Sequence, residues 1–236
     1  MPVRTLCLSV AILTGAGGCG TVVAPPPHPG RLPVVEALLV GGSPAATVRI
    51  TWADLEPIPG RPPEPISPAD VRLTLTGSSG PPAALVPRSD SAGLFVAATA
   101  ILAGQRYRLE GTIAGRAITA TTRIPASFTV TRPAADIEAG ATGIVEPFRW
   151  QAPGASVFAA DHAVFGESQY HHTRDTVGDL RIIPIDPARS PALTIWAMNA
   201  DAERYLYHLA APQSNVIGGL GMLGGALAVK RAFRWP

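Results

Sequence analysis

The stretch NVIGGLGMLGGALAVK, residues 215–230, sets Gly219, Gly221 and Gly224 in the spacing G-x-G-x-x-G, and its reading decides the fold. In a dinucleotide-binding unit such glycines turn a strand into a helix whose N-terminus carries the pyrophosphate, within a parallel α/β sheet. That reading needs a crossover helix and then an acidic residue for the ribose. The residues that follow here, ALAVKRAFRW, read as a strand, and the last acid of the chain is Glu203, upstream of the glycines. The segment therefore reads as a glycine-rich turn or bulge feeding a final strand, where glycine permits positive φ and close backbone approach. Neither a nucleotide nor any other cofactor is expected. The apolar run also carries five glycines and falls short of the roughly twenty residues of a membrane span.

Working outward from that strand, the rest of the chain keeps the same period. In TVRITW, Val48, Ile50 and Trp52 share one face and Thr47, Arg49 and Thr51 the other, as a half-buried antiparallel strand requires. DVRLTLTG aligns Val71, Leu73 and Leu75, while GQRYRLEG alternates Tyr107 and Leu109 with Arg106, Arg108 and Glu110. RAITATTRIP aligns Ile118, Ala120, Thr122 and Ile124. The arginines of these strands read as a solvated face. EPIPGRPPEPISP, between two of the strands, lacks ladder donors at its prolines and is expected as an exposed loop. Beyond it PFRWQA, ASVFAA, LRIIPI, ALTIWAMN, YLYHLAA and ALAVKRAFRW read as six more strands, and no helical period is evident. Trp150, Trp196, Tyr205 and Tyr207 lie in these apolar runs and are expected in the core.

The expected architecture is all-β: an N-terminal immunoglobulin-like or carboxypeptidase-regulatory-like β-sandwich over 33–125, a linker over 126–144, and a second β-rich lobe over 145–236. Composition bounds the chemistry. The formal charge is +2 over 236 residues, which disfavours nucleic acid held through its phosphates. Lys230 is the single lysine, so no phosphate-binding G-x-x-x-x-G-K loop and no S-x-x-K nucleophile pair exists.

The first residues, MPVRTLCLSVAILTGAGGCG, place one arginine before an apolar segment and small residues before a cysteine, the pattern of an export signal over 1–18. Ala16-Gly17-Gly18-Cys19 resembles a bacterial lipobox, which implies lipidation of Cys19. Cys7 lies within the segment to be removed, so Cys19 has no thiol partner. GTVVAPPPHPGRLP then reads as a semi-extended tether over 19–32.

LPVVEALLVGGSPAATVRITW, ISPADVRLTLTG, GLFVAATAILAGQRYRLEGTIAGRAITATTRIP and SNVIGGLGMLGG together resemble a family of bacterial lipoproteins of unknown function, abundant in Bacteroidota and often encoded beside TonB-dependent outer-membrane receptors. The resemblance covers most of the mature chain. It implies a sandwich carrying Gly104, Tyr107 and Leu109 in a G-x-x-Y-x-L strand, and a structural glycine motif at Gly218, Gly219, Gly221 and Gly224, with Leu223 replacing an aromatic. It implies no catalytic residue. It further implies an outer-membrane lipoprotein of the cell envelope acting as a binding or accessory module, with the membrane and a receptor protein as partners. Surface-displayed members carry acids after the cysteine, where this chain has Gly20-Thr21-Val22-Val23.

Two other readings stay open. DHAVFGESQYHHTRD holds Asp161, His162, Glu167, His171, His172 and Asp175, donors suited to zinc or another divalent ion. An envelope hydrolase or metal-binding protein would use this His162–Asp175 loop, although adjacent residues of a regular strand point to opposite faces. No G-x-S-x-G elbow accompanies it. A structural adhesion or assembly module is the third. A non-enzymatic protein is expected to purify without stoichiometric metal. Elemental analysis that finds metal, lost in the His171→Ala/His172→Ala variant, would favour the loop.

Overall fold

The computed structural model describes residues 31–54, 63–132, 137–138, 148–161, 170–173, 177–180, 192–207 and 213–234. The strands, in chain order, are β1 (Arg31–Val40), β2 (Ala46–Asp54), β3 (Glu64–Pro65), β4 (Val71–Gly77), β5 (Ala83–Pro87), β6 (Leu94–Ala97), β7 (Arg106–Ile113), β8 (Arg116–Arg123) and β9 (Thr129–Arg132). They continue as β10 (Ile137–Glu138), β11 (Phe148–Gln151), β12 (Ser156–Asp161), β13 (Tyr170–Thr173), β14 (Val177–Leu180), β15 (Ala192–Met198), β16 (Val216–Ile217) and β17 (Leu220–Arg234). One helix, α1 (Ala200–Tyr207), and a 3-10 turn at Pro68–Asp70 complete the described elements. The protein is all-β, with an N-terminal sandwich and a second β-rich lobe.

The sandwich forms because one sheet folds over on itself. Its path runs β17-β1-β2-β6-β5-β4-β7-β8-β16. The fold-over occurs within β5, where Ala83 and Ala84 pair with β4 while Leu85–Pro87 pair with β6. Between the two layers lie Val35, Ala37, Leu39, Val48, Ile50, Leu73, Leu75, Phe95, Leu109 and Ile118, which are the inward positions of the period-two pattern. Tyr107, 1 % exposed, turns its hydroxyl to the backbone, donating to the Ala100 carbonyl at 3.0 Å and accepting from the Leu102 N–H at 2.8 Å. This is the tyrosine corner of immunoglobulin-type sandwiches.

The final strand serves both lobes. Leu220–Ala226 pair in parallel with Val34–Val40 of β1, and Ala226–Ala232 pair antiparallel with β15. Leu227 packs against the sandwich core and also against the second cluster of Val130, Trp150, Val157, Leu193 and Ile195. A cut at 126–144 thus leaves part of the sandwich on its far side, namely β16, which pairs with β8, and the first half of β17. The segment expected as linker itself holds β9 and β10.

A parallel partner takes the alternate N–H and C=O groups of a strand and leaves the rest directed to the other side. On β17 those groups belong to Leu223 and Gly225, and two asparagines meet them. Asn215 accepts from the Leu223 N–H at 2.9 Å and donates to its carbonyl at 2.9 Å, and its amide also reaches the Thr121 carbonyl at 3.2 Å. The Asn199 side chain accepts from the Gly225 N–H at 3.1 Å and donates to Thr122 Oγ1 at 2.6 Å and to the Arg123 carbonyl at 3.1 Å. The seam between β8 and β17 is closed by side-chain amides together with the two residues of β16.

Asn199 also caps α1, its Oδ1 accepting from the Ala202 N–H at 3.1 Å. The expected strand YLYHLAA is therefore corrected at its start, since Tyr205–Tyr207 are helical. An asparagine cap followed by Asp201 and Glu203 in the first turn favours a helix locally, and the strand-like run begins too late to compete. Helix α1 lies on the β17 sheet with Ala202 beside Met198, Met222 and Ala226. A Cβ on Gly224 would come within 2.8 Å of the Ala202 Cβ. On the edge facing β1, Gly221 has φ +109, and a side chain there would overlap the Val35 carbonyl.

Three stability outcomes follow from this arrangement. Asn215→Ala leaves the Leu223 groups unpaired at about 1–3 kcal/mol each, so a denaturant titration should show a loss of that order. Gly221→Ala should cost on the order of 3 kcal/mol through strain and overlap. Tyr205 Oη donates to Glu36 Oε1 at 2.9 Å, and burial first, then the Glu36 charge, push its phenol up to about 12. A phenol raised in the fold above its unfolded value near 10 adds stability that is complete below pH 10 and lost as pH climbs toward 12. Tyr205→Phe should flatten the pH profile of the melting midpoint in that window.

Candidate functional site

The described residues contain a cleft of about 380 Å³ between the segment from Glu64 to Asp70 and the β5–β6 hairpin. Its construction follows from the prolines. Pro65 and Pro68 keep the 63–70 segment from joining β2 as a full strand, because each lacks an N–H donor. Only Glu64 and Pro65 pair, with Trp52 and Thr51, and the Ile66 N–H donates to the Ile50 carbonyl at 3.3 Å. The stretch expected as an exposed loop is thereby partly anchored, with Ile66 only 1 % exposed. On the other side the Ile50 N–H donates to the Gly93 carbonyl at 2.8 Å. Gly93 has φ +75, and a Cβ there would stand 3.0 Å from both the Ile50 carbonyl oxygen and Pro65 Cβ.

Trp52, Ile66 and Phe95 form a buried apolar floor, and half-buried Leu94 and exposed Pro65, Pro68 and Pro87 form the walls. The rim is charged. Arg31 donates to Glu64 at 2.8 Å and stands 5.7 Å from the centre of the Trp52 ring. Across the cleft Arg88 Nε donates to Asp90 Oδ1 at 2.9 Å, and this hydrogen bond holds the Asp90 carboxyl below the usual carboxylate range. The lining offers Ser67 and Ser91, Glu64, Asp70 and Arg88, with no histidine, cysteine or lysine. Such a cleft can receive one or two apolar side chains of a partner and read charge at its rim. With Trp52 only 8 % exposed, it is not a stacking platform for a sugar ring.

The residues singled out from sequence fall elsewhere. Gly218 and Gly219 form the turn between β16 and β17, and Gly221 and Gly224 lie within β17. A Cβ would meet a backbone carbonyl at Gly218, Gly219 and Gly221, and the Ala202 and Met222 side chains at Gly224. His171 and His172 occupy consecutive positions of β13, paired with Ala159 and Phe158. Cys19, His162, Glu167 and Asp175 lie outside the described residues. Among the described residues no group of three or more His, Cys, Asp or Glu is placed to hold a metal ion, and no helix is long and apolar enough to cross a membrane. Trp150 is buried in the second core and Trp196 packs beneath α1. Sequence reading missed Asn199 and Asn215. An asparagine between a strand and an acid-rich turn was the available signal for the first, whereas nothing local marked the second.

No family model matches the chain, and neither does any curated protein. Among solved structures, a chain of a cytokine receptor complex aligns over 84 % of this chain and 95 % of its own length, at 14 % identity. The TM-score of that alignment is 0.27, too low to carry an argument.

Proposed function

We propose that the chain is a non-enzymatic binding module of the bacterial envelope, tethered through lipidated Cys19 to the outer membrane and docking a protein partner at the cleft beside Trp52. The observation that carries the reading is the cleft itself, with its apolar floor and its ion-paired rim. One wall is the β5–β6 hairpin and the other is tied to β2 through Glu64, Pro65 and the Ile66 N–H, which suits recognition by pre-formed shape. The resemblance in sequence adds an outer-membrane receptor of the TonB-dependent class as the partner to look for.

Ala92 is exposed on the cleft wall, so Ala92→Trp fills the space from the solvent side without entering the core. Affinity capture from detergent-solubilised native membranes, with identification by mass spectrometry, should recover an outer-membrane protein. Recovery should fall sharply with Ala92→Trp, and in Cys19→Ala the protein should leave membranes washed at high salt, where only an acyl anchor holds. A partner retained equally by Ala92→Trp would move the interface away from the cleft. Residence in the salt-washed membranes unaffected by Cys19→Ala would remove the anchor.

A further inference from the structure

We propose that the outer face of the β4–β7–β8–β16 layer is a docking surface for an anionic phospholipid bilayer. Strand alternation puts Arg72, Arg106, Arg108 and Arg123 on this face together with Thr74, Thr76, Thr112, Thr119 and Thr121, while their neighbours Val71, Leu73, Tyr107, Leu109, Ile118 and Ala120 point into the core. Against four arginines the face has one acid, Glu110, so it carries +3 where the whole chain carries +2.

The register sharpens the point. Arg106 lies directly opposite Arg123 on the adjacent strand, and Arg108 is opposite Thr121 on one side and Thr76 on the other. Like charges directly opposite on a ladder destabilise it. Nothing within the described residues relieves this pair. Glu110 is engaged by Arg108 at 2.8 Å, and Arg123 Nε reaches only the Gly104 carbonyl, at 3.2 Å. Arg106 has no acid partner among the described residues. An external anion would neutralise what the fold leaves opposed.

The chemistry of that anion follows from shape. Three adjacent strands present guanidinium groups and hydroxyls side by side on one sheet face, which matches a plane of phosphates better than one enclosed anion. Ile217, 73 % exposed, stands opposite Thr119 at the β16 edge of this face and can enter the headgroup layer. The choice of a bilayer over an acidic protein rests on the envelope location proposed above.

The test uses the full chain as Cys19→Ala, so that no acyl chain contributes. Co-sedimentation with vesicles of phosphatidylglycerol and phosphatidylethanolamine should show binding that neutral phosphatidylcholine vesicles lack and that raised salt abolishes. Removing two cations from an anionic surface should weaken binding roughly thirtyfold in Arg106→Ala/Arg123→Ala. Arg49→Ala, on the other layer, should leave it unchanged. The double variant should melt close to its parent, because it removes a like-charge pair along with the exposed Arg123–Gly104 hydrogen bond. Equal binding to neutral vesicles, or anionic binding untouched by the double variant, overturns the proposal. Binding to soluble polyglutamate without vesicle binding overturns it in favour of an acidic protein. Fractionation of the unmutated chain against Cys19→Ala after a high-salt wash reads the anchor separately, so an absent anchor and an inactive face give different results.

Discussion

The closure of the sandwich rests on two asparagine side chains. Once β17 gives half of its backbone groups to β1, those of Leu223 and Gly225 face the open edge of β8, and a row of unpaired groups there would cost about 1–3 kcal/mol each if dried by packing. An amide side chain carries both a donor and an acceptor, as a peptide group does. Asn215 uses both on Leu223 while also reaching β8, and Asn199 joins Gly225 to Thr122 and Arg123. Serine or threonine could satisfy one group but not span the gap. The edges of β8 and β17 are hidden by chemistry instead of by another full strand.

That seam makes the two lobes depend on one another. Asn199 follows β15 of the second lobe and caps the helix that lies on β17, yet its amide nitrogen donates to Thr122 and Arg123 of β8 in the first. Leu227, between the two cores, ties packing in the same place that Asn199 ties hydrogen bonds. β1 and β17 meet from distant parts of the sequence, so the sandwich gains its last contacts only after a large loop has closed, the slow kind of step in β folding. The cleft and the cationic face are consequently mounted on a cooperative scaffold, which keeps binding geometry fixed at little entropic cost.

Local pattern carried much of this fold. The alternation in β2, β4, β7 and β8 is a short-range consequence of one face being buried, and it placed Val48, Leu73, Tyr107 and Ile118 inward as found. The glycines of β17 were legible as structural because no helix-forming segment followed them. Pairing was not legible, because register between β1 and β17 is decided by strands that share no sequence neighbourhood. Helix α1 was hidden by its shortness. Its eight residues hold too few turns for a period to emerge, and its cap was the only cue. The cleft depends on how Pro65 and the hairpin at Gly93 approach β2, which no single window contains. The arginines were visible as a polar face, but only register reveals that Arg106 opposes Arg123.

Two surfaces with different chemistry then follow from one architectural fact. A sandwich has two layers, and each must place its uncommitted residues outward. In the β2–β6 layer the proline segment 63–70 pairs with the sheet only at Glu64 and Pro65 and leaves a cleft with a buried aromatic floor. In the β4–β7–β8 layer the outward positions hold mainly arginine and threonine, with the one acid Glu110. The cleft lining and the cationic face share no residue, so filling one does not consume the other. A chain held against a charged surface through Arg106 and Arg123 would still leave the cleft walled by Leu94, Pro65 and Pro87 open to a second partner.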